Sequence, residues 1–214
     1  MAKTPVELRN SKLGPRVVEA LKKHYFDAWY FDTSAEAVEK IISLIPPGDV
    51  VSWGGTVTMD ELGIQKILAK RNQPVIDRDT AKTPEERNEL QRKALLCDTY
   101  LASANALSED GQLVNIDGNG NRVAAMAYGP RQVIVAAGMN KVAKTVEDAL
   151  VRARTIAAPL NVQRFPDYPT PCAKTGTCFD CFSERSICNF FVTIRVSRPA
   201  GRIKVVLIGE DLGL

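Results

Sequence analysis

Alternation of short strand-like runs with helix-length segments constrains this chain more than any other feature. The aromatic run FDAWYFD precedes SAEAVEKIISLI, where Ser34 can cap a helix that turns Val38, Ile41, Ile42 and Ile45 inward before Pro46-Pro47-Gly48 ends it. DVVSW reads as a strand, MDELGIQKILAKR as a helix, QPVID as a strand, and TPEERNELQRKALL as a helix opened by a threonine cap with proline beside it. DTYLAS, RQVIVAAG and RIKVVLIG are further strands, and KTVEDALVRARTIAA is a helix after the second of these. Ahead of them all, residues 5–23 space Leu8, Leu13, Val17, Val18 and Leu21 helically, with Gly14-Pro15 as a bend or break. This order predicts a three-layer αβα architecture around a largely parallel sheet.

At 214 residues, of which 45% are hydrophobic, the chain can bury one substantial core, so a single domain over 1–214 is expected. It would carry an N-terminal helical segment, 1–24, and a cysteine-rich loop, 166–190. The net charge of +3 is too small and too scattered to argue for nucleic-acid binding. No stretch approaches the ~18 apolar residues of a membrane span, and the N-terminus lacks the apolar core of a secretory signal, so a cytoplasmic protein is expected. An oligomer is compatible with the sequence.

Histidine occurs once, as His24, which removes histidine-based triads and metal sites from consideration. Chemistry must rest on carboxylates, amines, amides, thiols, backbone N–H groups or a cofactor. Cys97 stands alone, whereas Cys172, Cys178, Cys181 and Cys188 fall in one segment with the spacing C-x5-C-x2-C-x6-C. In a reducing compartment such density points to metal or redox work, either a zinc ion or a [4Fe–4S] cluster. The spacing matches neither the bacterial ferredoxin run nor the paired zinc ribbon. Phe179, Phe182 and Phe190 would shield a cluster, and would serve equally as core anchors.

Polar or glycine-bearing turns follow several strands: Gly54-Gly55-Thr56, Ser103-Ala104-Asn105, Gly138-Met139-Asn140-Lys141 and Gly209-Glu210-Asp211. In open parallel sheets, ligands bind outside the carboxyl ends of strands, so these turns can converge on one crevice. Each alone is explained by turn geometry. Gly54, Gly55, Thr56 and Thr58 would offer amides and hydroxyls to a carboxylate or phosphate at a helix start. Glu61, one turn on, is a candidate base or nucleophile, although an acidic residue there also compensates the helix dipole. The stretch from Asp110 to Arg122 reads as a hairpin whose second turn, Asp117-Gly118-Asn119-Gly120-Asn121, presents amides and the Arg122 guanidinium, a planar clamp for carboxylate or phosphate. Gly118-Asn119-Gly120 lacks the third glycine of a dinucleotide fingerprint, and no GxxxxGK[ST] occurs, so neither an NAD nor an ATP motif is present.

Together SWGGTVTMDELG, DTYLASANALSEDGQLVNIDGNGNRVAAMAYGP, VIVAAGMNKV, the cysteine loop and GRIKVVLIGEDLG resemble the LUD-domain, or lactate-utilization, family from about Val50 onward. The resemblance implies a fold related to ribose-5-phosphate isomerases, CoA transferases and formyltetrahydrofolate cyclo-ligases. It also implies a part in an iron–sulfur system oxidising L-lactate to pyruvate. Multidomain members carry separate ferredoxin-type cysteine repeats that this sequence lacks, so the resemblance implies a subunit working with iron–sulfur and oxidase partners. Gly54, Gly55, Thr56, Asn105, Asp117, Gly118, Gly120, Asn121, Arg122, Asn140 and Lys141 match the family's motifs. Two alternatives stand beside this reading. One is a transferase- or isomerase-like enzyme for an acyl-CoA or sugar phosphate, with Glu61 or Glu210 as catalytic carboxylate; the other is a non-catalytic interaction module.

Overall fold

The computed structural model describes residues 3–214, so the first two positions of the expected segment 1–24 lie outside the described residues. The chain runs α1 (Pro5–Lys23), β1 (Asp27–Phe31), α2 (Ser34–Ser43), β2 (Val51–Trp53), α3 (Val57–Glu61), α4 (Ile64–Lys70), β3 (Val75–Ile76), α5 (Pro84–Lys93) and β4 (Thr99–Ala102). It continues through β5 (Ala106–Ser108), β6 (Leu113–Asp117), α6 (Asn121–Ala127), β7 (Gln132–Gly138), β8 (Val142–Ala143), α7 (Val146–Arg152), α8 (Ala158–Val162), α9 (Pro171–Thr175), β9 (Phe190–Ile194) and β10 (Ile203–Ile208).

Six strands pair in the order β1-β10-β7-β4-β2-β3, and every pairing is parallel. Val133, Ile134, Val135, Ala136 and Ala137 of β7 are all fully buried, as central strands covered on both faces require. One face packs Val133, Val135, Val205 and Leu207 against Val17 and Leu21 of α1 and Met126 of α6. The other packs Ile134, Ala136, Val206 and Ile208 against Ile41 of α2, Met59 of α3 and Leu68 of α4. This is the layered α/β arrangement that the strand–helix alternation predicts. A second, four-stranded sheet, β8-β5-β6-β9, which the apolar alternation does not reveal, is built from insertions beside β4, β7 and β10. Its Ala106, Val114 and Ile116 pack on Ala149 and Ala153.

Several local expectations are corrected. Gly14-Pro15 does not break α1, because the Tyr30 ring lies against Gly14 so closely that a Cβ there would stand 2.2 Å from Cδ2, and buried Val17, Val18 and Leu21 hold the following turns. Thr33, not Ser34, caps α2: its side chain accepts from the Glu36 amide while the Glu36 carboxylate accepts from the Thr33 amide. The segment MDELGIQKILAKR divides into α3 and α4, since Gly63 adopts φ 67°, a left-handed conformation that ends one helix and starts the next. KTVEDALVRARTIAA is interrupted by a π-helical turn, Ala153–Ala157. Among the described residues no helix is long and apolar enough to cross a membrane.

Candidate functional site

From β2 the chain leads outward to β3, whereas from β4 it leads the other way to β7, so the sheet's switch point falls between β2 and β4. Loops at such a point diverge and leave a crevice. A cavity of about 490 Å³ occupies it, bordered by Gly54, Gly55, Thr56 and Thr58 after β2, Ser103 and Asn105 after β4, and Lys141 after β7. Asp117, Gly118, Asn121 and Arg122 come from the turn after β6. Most of the turns named from the sequence therefore meet in one place. Arg78 and Arg164, from segments without any motif, complete the wall.

Geometry at each position explains the residue type. A Cβ on Gly55 would lie 2.9 Å from Arg78 Nη2, and one on Gly54 would lie 3.3 Å from Arg122 Cβ, so the two glycines let two guanidinium-bearing side chains close on the loop. Asp117 accepts hydrogen bonds from the amides of Arg122 (3.0 Å) and Val123 (3.2 Å), fixing the start of α6. Arg122 Nη2 donates to the Ile116 carbonyl (2.6 Å) and to Asn105 Oδ1 (3.3 Å), and Asn105 Oδ1 also accepts from the Ile116 amide. Asn105 and Asp117 thus orient Arg122. The Nε atoms of Arg78 and Arg122 are buried and donate to nothing, with Asp79 and Asp117 carboxylates 3.8 Å away, beyond hydrogen-bond reach. Four arginines, Arg78, Arg87, Arg122 and Arg164, border the cavity, against the side-chain carboxylates of Asp60, Asp79 and Asp117.

Lys141 is 3% exposed and donates to Thr58 Oγ1 (3.0 Å) and Ser103 Oγ (3.1 Å). Burial, reinforced by the Arg152 and Arg122 charges, pushes its pKa down to about 7. Other sequence candidates sit apart from the cavity. Glu61 is exposed and accepts from the Gly213 amide (2.6 Å), Asn140 exchanges hydrogen bonds with the Leu212 backbone, and Gly120 is the left-handed N-cap of α6. Glu210 is exposed and binds the Ser34 amide (3.0 Å) and hydroxyl. Both glutamates fasten chain segments. Helix α3, expected to aim a dipole at an anion, has only five residues, so the cleft's charge comes from side chains.

A second cavity, of about 430 Å³, is bordered by Cys172, Cys178, Cys181 and Cys188, all free thiols, with Arg154, Phe179, Phe182 and Phe191. Phe191 stands where the sequence suggests Phe190, whose ring instead covers Gly120. Phe182 is 98% exposed, so it does not shield the thiols from water. Burial, reinforced by Cys172, Cys178 and Cys181, pushes the Cys188 thiol up to about 11. The Asp180 amide donates to Cys178 Sγ at 3.4 Å. Among the described residues no three His, Cys, Asp or Glu side chains are gathered as a metal set. Soft donors sharing one cavity nevertheless suit zinc or iron–sulfur chemistry if the loop draws them together. Ala158 borders both cavities, and Ser186 and Ile187, just before Cys188, line the first. Cys97 is buried, its thiol pushed up to about 12 by burial, and belongs to the core.

A wound parallel sheet flanked by helices, with an arginine-lined crevice at its switch point, defines an open-sheet α/β protein. The chain belongs to the LUD domain family, whose pattern matches residues 14–208. A comparison with curated proteins finds no match. Among solved structures, a DUF162 family protein from Deinococcus radiodurans is similar over 93% of this chain and 97% of that one, with a TM-score of 0.54 and 9% identity, a likeness of fold. Ribose 5-phosphate isomerase A from Methanocaldococcus jannaschii overlaps 53% of this chain and 55% of that one at 14% identity, with a TM-score of 0.34.

Proposed function

We propose that the switch-point cleft binds a small carboxylate or phosphate, and that the protein serves lactate utilization as the ligand-holding subunit of an iron–sulfur oxidising system. The observation that carries this reading is that Arg78 and Arg122, each with a buried and unpartnered Nε donor, both line a cavity of about 490 Å³. A buried guanidinium N–H without a partner is costly, and an anionic guest would satisfy it with charge-assisted hydrogen bonds. A 2-hydroxy or 2-oxo carboxylate supplies the charge such donors call for, with Arg122 held for it by Asn105 and Asp117. Membership in the LUD domain family supports the link to lactate.

Cys172, Cys178, Cys181 and Cys188 would hold an iron–sulfur cluster, or alternatively zinc. A bound cluster supplies one-electron transfer. Cytoplasmic residence and association with iron–sulfur and oxidase partners belong to the same proposal. Titration calorimetry with L-lactate, pyruvate and phosphate tests the anion site: binding is expected, and Arg122→Leu should abolish it in protein that still unfolds in one cooperative transition. A folded wild-type protein that binds none of the three anions would refute the reading. Iron and sulfide analysis of anaerobically purified protein tests the loop.

A further inference from the structure

We propose that Ser103 is a nucleophile with Lys141 as its general base, so that the cleft transfers the acyl group of a small anionic acyl donor onto Ser103. The ends of β2, β4 and β7, adjacent strands, bring Thr58, Ser103 and Lys141 together. Lys141 Nζ lies 3.1 Å from Ser103 Oγ and 3.0 Å from Thr58 Oγ1, and the two hydroxyls lie 3.2 Å apart. All three residues are buried, and all three border the cavity.

A neutral amine satisfies this triangle completely. At rest Nζ donates to both hydroxyls and Ser103 O–H donates to the Ala104 carbonyl (3.3 Å); in the neutral amine Ser103 O–H turns to the Nζ lone pair while an Nζ N–H still donates to Thr58 and Thr58 O–H donates to Ser103 Oγ, which aims the Ser103 proton at a base. An ammonium has no lone pair to accept that proton, and its hydrogen-bond partners are hydroxyls, not carboxylates. Gly213 closes a further side, since a Cβ there would stand 2.9 Å from Nζ. The lowered pKa of Lys141 accords with this arrangement. None of this is needed for simple anion binding, where a buried charged lysine would serve better.

In the step, Lys141 takes the Ser103 proton as Oγ attacks the acyl carbon. The tetrahedral oxyanion forms among the cleft's cations and collapses with cleavage of the bond to the leaving oxygen, which receives the proton from Lys141. Water then attacks the acyl-serine, Lys141 accepts its proton and returns one to Ser103 Oγ, and a carboxylic acid leaves. No redox partner is required. The anionic character of the donor rests on the anion-binding reading of the cleft, whereas the nucleophile and base rest on the triangle itself.

The test uses methyl acetyl phosphate, a small anionic acyl donor, on the intact protein, with peptide mass spectrometry and, on the same preparation, phosphate titration. Acetyl-Ser103 is expected in the wild type and absent in Ser103→Ala, with labelling slowed about 100-fold in Lys141→Met, the size of a lost general base. Labelling should rise with pH through about 7 in the wild type and lose that inflection in Lys141→Met. Thr58→Val, which keeps the pair but breaks the triangle, should slow labelling without moving the site of the adduct. Protein that binds phosphate but acquires no acetyl-Ser103, or is acetylated on Lys141 alone, overturns the inference and spares the anion reading. Acetyl-Ser103 in protein that fails to bind phosphate does the reverse.

Discussion

At Gly55 the cost of a side chain falls on a neighbour and not on the backbone. A Cβ would meet Arg78 Nη2 at 2.9 Å, and that atom is the far end of a flexible side chain, so the guanidinium would swing away and the fold would survive. Gly55→Ala is therefore expected to weaken phosphate binding about tenfold, ~1.4 kcal/mol, with an unchanged melting temperature; calorimetry and a thermal scan check both halves. Lys141 makes a prediction about stability and pH. Its pKa falls from 10.5 in the unfolded chain to about 7 in the native state. Between those values the unfolded chain binds more protons than the folded one, so this lysine makes stability rise with pH across that window. Below about pH 7 both states are protonated, and the folded state bears the full cost of a buried charge. The urea midpoint of the wild type should thus gain on that of Lys141→Met as pH rises from 7 towards 10. A constant difference over that range would show the lysine to be charged in the fold. At this scale the sequence is ambiguous in a definable way. Lys141, Asn140, Glu61 and Glu210 all follow strands or open helices, but only Lys141 points into the cleft, because direction depends on the tail residues Leu212 and Gly213 that fold back over the loops.

Helix α6 shows how elements hold the site. Its first turn is fixed by Asp117, and its end is fixed from a distance by Arg202, whose guanidinium donates to the carbonyls of Ala125 (2.8 Å), Met126 (2.8 Å) and Pro130 (3.0 Å). A helix of seven residues needs such caps, since it cannot satisfy its own terminal carbonyls. Arg202→Met removes a buried charge together with its hydrogen bonds and strands those carbonyls, at a cost of about 3 kcal/mol by urea unfolding. Phosphate affinity should change little, because Arg122 sits at the opposite end under the control of Asp117. Lys at 202 should recover only part of the loss, having no planar fork to span separate carbonyls. The sequence makes the Asp117–Asn121 turn visible through its turn-forming residues. It hides the helix that follows, too short for a periodic signal, and it hides the cap, because Arg202 reads as the first residue of a strand. Strands β5 and β8 escape because two or three residues carry no alternation, and β9, five residues long, escapes because it pairs with β6 far back in the chain and leaves Phe190 and Phe191 exposed. The central strands are legible because burial on both faces makes them continuously apolar.

Across the whole molecule the two cavities share a wall. Ala158 borders both, Ser186 and Ile187 line the cleft, and Cys188 follows them into the thiol cavity. Asn189 ties this segment to the cleft's own turn, its amide donating to the Asp117 carbonyl (3.0 Å) and its side chain to the Gly118 and Ser186 carbonyls. A Cβ on Gly118 would stand 3.2 Å from Ile187 Cα, so the two backbones are already in contact. A movement of Cys188 towards Cys172, Cys178 and Cys181 would therefore press on the turn that carries Asp117 and Arg122. Under the proposed function, binding at the two sites is expected to be coupled, and such coupling is reciprocal. Phosphate affinity measured before and after anaerobic reconstitution with iron and sulfide should differ at least about fivefold, the lower end of ordinary coupling. Phosphate should in turn change iron uptake at limiting iron by the same factor. Asn189→Ala removes the two side-chain bonds and keeps the amide bond to Asp117, without touching a thiol or an arginine, so it should still take up iron and still bind phosphate, with a smaller difference between the two phosphate affinities. Equal phosphate affinities with and without iron in the wild type would mean that the thiol loop and the cleft are separate sites sharing only a boundary.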